Sequence, residues 1–134
     1  RLNAERNGVS DRMDCVAADV FELLPTLEQG AYDFIILDPP AFTKSRKTLH
    51  NALRGYKEIN YRAMKLLPRG GYLATCSCSH FATEEEFCKM LVSAAKDANV
   101  QLRQIEARQQ SPDHPILWGV PETSYLKFYL FQVV

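Results

Sequence analysis

The feature that constrains this chain most is an alternation between two periodicities. The run YDFIILDPP is apolar without a break from Phe34 to Leu37 and is stopped by Pro39 and Pro40. It reads as a strand buried on both faces, because such strands show no polar alternation. From Leu53 to Leu67 the apolar side chains Tyr56, Ile59, Ala63, Met64 and Leu67 keep a helical spacing, closed by Pro68 and Gly70-Gly71. GYLATCSCS is again a strand. Beyond it Thr83 stands three residues before Glu86, a capping box, and Phe87, Met90, Leu91, Ala94, Ala95 and Ala98 form the apolar stripe of a second helix. Earlier in the chain DCVAADV reads as a short strand and VFELLPTLEQG as one or two helical turns ending at Gly30. Later, Leu102 to Ala107 and Tyr125 to Val134 read as two more strands. Strands alternating with helices predict an α/β layered fold around a mostly parallel sheet.

With 134 residues, 46% of them hydrophobic, the chain can bury one core, and nothing points to a second domain. No apolar run approaches the roughly 20 residues that a membrane helix requires, so no membrane is expected. The formal net charge is zero, which leaves any nucleic-acid surface to local clusters. Four unevenly spaced cysteines do not resemble a secreted disulfide framework, and no signal-like segment opens the chain, so the expected location is the cytoplasm. The opening RLNAERNGV has the pattern of a helix end, with Asn7-Gly8 as a left-handed cap and no N-cap before it. The expectation is therefore a piece of a longer protein, truncated at its N-terminal side.

In α/β sheets of this kind ligands bind outside the carboxyl ends of the strands. That rule selects Asp19, Asp38-Pro39-Pro40 and the segment Ser77 to His80 as one rim. The two prolines leave a fixed, extended path without backbone donors, so a carboxylate and carbonyl oxygens face a ligand; as a bare strand stop, the same residues need no function. The stretch after them, TKSRKTLHNALRGYK, carries Lys44, Arg46, Lys47, Arg54 and Lys57 with no acidic residue before Glu58. Such charge runs are usually solvated loops, but at a site rim they suit phosphates.

Cys76 and Cys78 would point to the same side of an extended strand, with about 7 Å between their alpha carbons, too far for an unstrained disulfide. A zinc site normally draws its ligands from pairs in turns, and no second pair is present, so no metal is expected. Buried, inert thiols remain the ordinary reading for Cys15, Cys76 and Cys88. Cys78, where the strand ends, is the one positioned as a nucleophile.

The segments DPPAF, RGYKEIN, GGYLATCSCSHF, DHPILW and ETSYLKFYLFQVV together resemble the class I S-adenosylmethionine-dependent methyltransferases that make 5-methylcytosine in large-subunit ribosomal RNA. The resemblance runs over essentially the whole chain. It implies a Rossmann-like sheet with an antiparallel C-terminal strand, S-adenosylmethionine as cofactor and large-subunit ribosomal RNA as partner. By motif it assigns Asp38, Pro39, Pro40 and Phe42 to the motif beside methyl donor and target base, Asp19 to the adenine, and Cys78 to the nucleophile. Asp38 would join Cys78 in catalysis, and Phe42 with the basic residues named above would contact RNA. The glycine-rich donor loop and the N-terminal PUA-type domain of that family fall outside this sequence, so residues 1–134 are expected to be a partial catalytic domain that is inactive alone. Two departures stand out. Some relatives carry a second cysteine after the proline of the DPP motif, where this chain has Pro40-Ala41. Amine methylases place an aromatic residue directly after the prolines, whereas here Ala41 precedes Phe42. A non-catalytic RNA-contacting module, or methylation of another base or of a small molecule, are the competing readings. Finally, a strand near Val16 without its upstream neighbours must either move beside Phe34 to Leu37 or leave that edge for a second copy, which would give a homodimer.

Overall fold

The computed structural model describes residues 1–42 and 46–134, with Arg46 by its backbone alone. Helix α1 (Leu2–Arg6) ends as its sequence predicts: Gly8 takes φ +63°, and its N–H and that of Val9 return to the carbonyls of Glu5 and Ala4. A short helix α2 (Val20–Leu23) runs into a single 3-10 turn, Leu24–Thr26. Then come β1 (Phe34–Leu37), α3 (Leu49–Leu66), β2 (Tyr72–Ser77), α4 (Glu84–Ala98), β3 (Leu102–Arg108) and β4 (Lys127–Val133).

The sheet order is β1-β2-β4-β3. β1 pairs with β2 in parallel and β4 runs antiparallel to both β2 and β3, so three strands share one direction and the last opposes them. α3 starts one turn before its expected first residue because Ala52 is also buried against the core. The capping box forms as read: the Thr83 hydroxyl accepts from the Glu86 N–H while the Glu86 carboxylate accepts from the Thr83 N–H. Between α3 and β2 the chain turns at Gly70, and a side chain at Gly71 would meet the carbonyl oxygens of Pro68 and Asp33 at 3.0 and 3.1 Å. That close approach sets where β2 begins.

Both long helices cover one face of the sheet. Leu37, Leu73, Tyr129, Phe131 and Val133 meet Tyr56, Ile59, Met64, Phe87, Met90 and Leu91 there, all buried. Full burial of an aromatic or large aliphatic side chain contributes about 1.5–3 kcal/mol each, so this layer supplies most of the stabilisation. An aromatic series threads it: Phe42 to Tyr56 at 4.6 Å between centroids, Tyr56 to Phe87 at 5.8 Å, and Phe87 to Tyr129 at 6.3 Å.

Two expectations fail. Residues 14–19 form no strand, since an extended segment becomes one only beside a hydrogen-bonding neighbour and none of the described strands takes that place. Nor does the Val16 segment move in beside β1. β1 is also not buried on both faces: Ile35 and Leu37 turn to the helices, while Phe34 and Ile36 are 47% and 67% exposed on the uncovered side. Among the described residues no helix is long and apolar enough to cross a membrane.

Candidate active site

β1 ends at Leu37, opposite Thr75 of β2. The next residue, Asp38, is exposed and level with Cys76; Pro39 and Pro40 follow without N–H groups. Cys76 is 8% exposed, and its thiol is pushed up to about 11 by burial first, then by the carboxylate of Asp38 and by Cys78. The two cysteines are thus unlike. Cys78 lies one residue past the end of β2, half-buried, at the rim. All four cysteines are free thiols, and among the described residues no group of three His, Cys, Asp or Glu could hold a metal ion. Cys15 and Cys88 are half-buried and not core thiols; the Cys88 thiol donates to the Tyr129 hydroxyl at 3.3 Å, which donates to Glu84 at 2.5 Å.

The loop after Cys78 is held from β4. Ser77 and Lys127 are the last pair of the β2–β4 ladder, and Lys127 Nζ donates to the carbonyls of Ser79 at 2.6 Å and Ala82 at 2.7 Å. Burial pulls the Lys127 ammonium below the ordinary lysine range, against the attraction of Cys78, Glu84 and Glu86. From α3, Tyr56 reaches the same corner. Its hydroxyl is fully buried with no partner in bonding geometry, and burial raises its pKa although the Ser77 hydroxyl and the Phe42 backbone are near enough to oppose this. A cavity of about 200 Å³ opens beside the loop, lined by His80, Thr83, Arg108, Leu126 and Lys127 among others.

The remaining expected site residues scatter. Asp19, no longer a strand end, is the N-cap of α2, where its carboxylate accepts from the Phe21 N–H at 2.8 Å. Phe42 is half-buried between Phe21 and Tyr56, which anchors the segment leaving Pro40. Lys44 and the Arg46 side chain lie outside the described residues. Lys47 is exposed in the single turn before α3. Lys57 forms an ion pair with Asp97 of α4 at 2.6 Å and shares an outer groove with Arg54, Glu58 and Tyr61. Asp38 thus stands beside Cys76, two residues before Cys78, whereas Lys57 is committed elsewhere.

Sequence reading missed Lys127 and Tyr56. Lys127 breaks the apolar run from Leu126 to Leu130, and an interrupting charge inside a buried strand was the available signal. Because β3 runs with β2, the segment 109–126 also leaves the sheet at this rim, and Trp118 in it is 97% exposed.

The α/β layering and the mixed sheet with its reversed last strand are those of the Rossmann-like methyltransferase fold. A methyltransferase candidate solved with S-adenosylhomocysteine superposes on 99% of the chain with a TM-score of 0.73 at 19% identity, covering 36% of that structure. TrmN from Thermus thermophilus covers the whole chain with a TM-score of 0.59 at 22% identity, over 32% of its own length. No family model matches. In sequence the chain is 41% identical over 137 residues to the ribosomal RNA large subunit methyltransferase I of Erwinia tasmaniensis and 39% identical to that of Escherichia coli; both alignments take in all of this chain and 35% of the relative. Over its whole length the chain is homologous to these ribosomal RNA large subunit methyltransferases, and it spans about a third of their length.

Proposed function

We propose that this chain forms the catalytic wall of an S-adenosylmethionine-dependent methyltransferase acting on large-subunit ribosomal RNA in the cytoplasm, with carbon 5 of a cytosine as acceptor and Cys78 as nucleophile. The observation that carries this reading is the contrast within one strand end. Cys76 is buried beside Asp38 with its thiol pushed up to about 11, while Cys78, two residues on, is half-buried just past the end of the strand. Residues 1–134 are taken as part of a catalytic domain whose donor loop and PUA-type domain belong to other segments of the longer protein.

The residues present fit the donor. Asp38 is exposed and Pro39-Pro40 bring no N–H, so this rim offers acceptors to a cationic ligand; exposed Asp19 suits the amino group of adenine. Bound there, S-adenosylmethionine would supply a methyl group on a sulfonium centre. Carbon 5 of cytosine is a weak nucleophile until carbon 6 is attacked. The Cys78 thiolate bonds carbon 6, and the electron pair released toward carbon 5 takes up the methyl group. A proton then leaves carbon 5, the carbon–sulfur bond breaks, and Cys78 regains its electron pair. Asp38 holds the exocyclic amine or ring nitrogen of the base and favours the addition. The base must be unstacked to enter, with Lys47 and Arg54 facing phosphates and Trp118 offering a plane for a neighbouring base.

In the protein in which this chain occurs, Cys78→Ala is expected to abolish methylation and the covalent adduct with RNA carrying 5-fluorocytosine at the target. Cys76→Ala is expected to retain both. An adduct that survives Cys78→Ala would remove the assignment.

A further inference from the structure

We propose that Lys127 is the positioning residue of the Cys78 loop, clamping the carbonyls of Ser79 and Ala82 and presenting its ammonium to the Cys78 sulfur. Its functional meaning rests on Cys78 being the nucleophile; its physical test does not.

The loop needs such a clamp because the ladder stops short of it. β2 makes its last pair at Ser77 with Lys127, and from Cys78 to Ala82 no strand neighbour satisfies the backbone. One cation meets two of these carbonyls, at 2.6 and 2.7 Å, and charge-assisted bonds of that length are about twice as strong as neutral ones. Among the described residues no carboxylate comes within 4.0 Å of Lys127 as an ion pair. A half-buried ammonium that gives its hydrogen bonds to carbonyls has no ion-pair partner to neutralise it, and of the groups whose attraction opposes its burial Cys78 comes first.

The charged and titratable groups around this corner come from every packed element. Tyr56 approaches from α3 and Cys76 from β2, with Asp38, just past the end of β1, beside Cys76; Glu84 and Glu86 of α4 face Lys127. His80 and Arg108 line the cavity beside Lys127, and it is Lys127 that bonds the carbonyls of the loop. A thiolate, not a thiol, attacks carbon 6, and an ammonium fixed to the same loop stabilises negative charge on that sulfur. It favours the return step as well, since the sulfur leaves carbon 6 as a thiolate once the proton on carbon 5 has been removed. Both half-reactions place negative charge on the same atom beside the same cation.

The test uses the full chain and needs neither RNA nor donor. Iodoacetamide modification of each cysteine is followed by mass spectrometry at near-neutral pH in the unsubstituted chain, Lys127→Met and Lys127→Arg. Cys78 is expected to react about tenfold more slowly in Lys127→Met, the scale of removing one half-buried unit charge, and to recover in Lys127→Arg. Amide exchange at residues 79–82 should quicken in Lys127→Met and not in Lys127→Arg. If Lys127→Met does not fold, the unsubstituted chain still decides: Cys78 should prefer anionic iodoacetate over iodoacetamide more strongly than 2-mercaptoethanol does. An unchanged Cys78 rate in folded Lys127→Met, or a reagent preference no greater than that of 2-mercaptoethanol, overturns the proposal. Methylation that persists in Cys78→Ala would instead remove the nucleophile and leave the clamp standing.

Discussion

Asp38 lies beside Cys76, one step beyond the Leu37–Thr75 pair, and after burial its carboxylate is the largest cause of the Cys76 thiol titrating near 11. One aspartate thus helps hold the proton on the inner thiol.

The pH dependence of stability follows from that thiol. Its folded pKa of about 11 exceeds the value near 8.5 of an unfolded cysteine, so the folded state holds the proton longer. Stability from this group is fully present below the unfolded value and falls as pH rises toward and through about 11. Urea midpoints measured across that window should decline less steeply in Cys76→Ala than in the unsubstituted chain. Equal slopes would show that Cys76 does not govern the decline. Asp38→Asn should move the onset of Cys76 alkylation to lower pH.

Phe87 is fully buried and touches both Tyr56 and Tyr129, which makes it the joint between α3, α4 and the sheet. Truncation of such a side chain typically costs about 3–5 kcal/mol. Phe87→Ala is expected to lose that much in chemical denaturation. A loss under about 1 kcal/mol would mean that the core refills the space.

Thr75 is fully buried, opposite Tyr129, and its hydroxyl has no hydrogen-bond partner among the described residues. Replacing an unpartnered buried hydroxyl by an isosteric methyl removes a desolvation cost of about 1–3 kcal/mol. Thr75→Val should therefore unfold at higher urea. Destabilisation would reveal a hydrogen bond that the geometry does not contain, for instance to a bound water.

The uncovered side of β1 sets the behaviour of the chain in solution. Phe34 stacks on Tyr72 at 6.1 Å and Ile36 stands exposed beside them, on a strand that has no partner on one edge among the described residues. Exposed apolar edges of this kind recruit other chains. Of the two expected repairs, the strand near Val16 does not form beside β1. Sedimentation of the isolated chain should show concentration-dependent self-association that Ile36→Lys weakens. A strictly monomeric chain at high concentration would refute this.

Local patterns in the sequence determined the elements that carry their own signals. The capping box at Thr83 and Glu86, the left-handed turn at Gly8, the apolar stripe of α4 and the arrest of β1 by two prolines all depend on neighbours a few residues away. Cys78 was also visible as a strand-end residue, because strand length is a local property. Tertiary structure decided what depends on partners distant in the chain. The segment 14–19 has a strand's composition but no neighbour to bond with, and Phe34 and Ile36 have the composition of core but only one covered face. Lys57 looked like part of a basic rim until α4 brought Asp97 to it, and Lys127 looked like an interruption until the β2–β4 register set it against the loop after Cys78. Backbone hydrogen bonds and ion pairs between elements cannot be read from spacing, since they are made by whichever groups the packing of the sheet brings within a few ångströms.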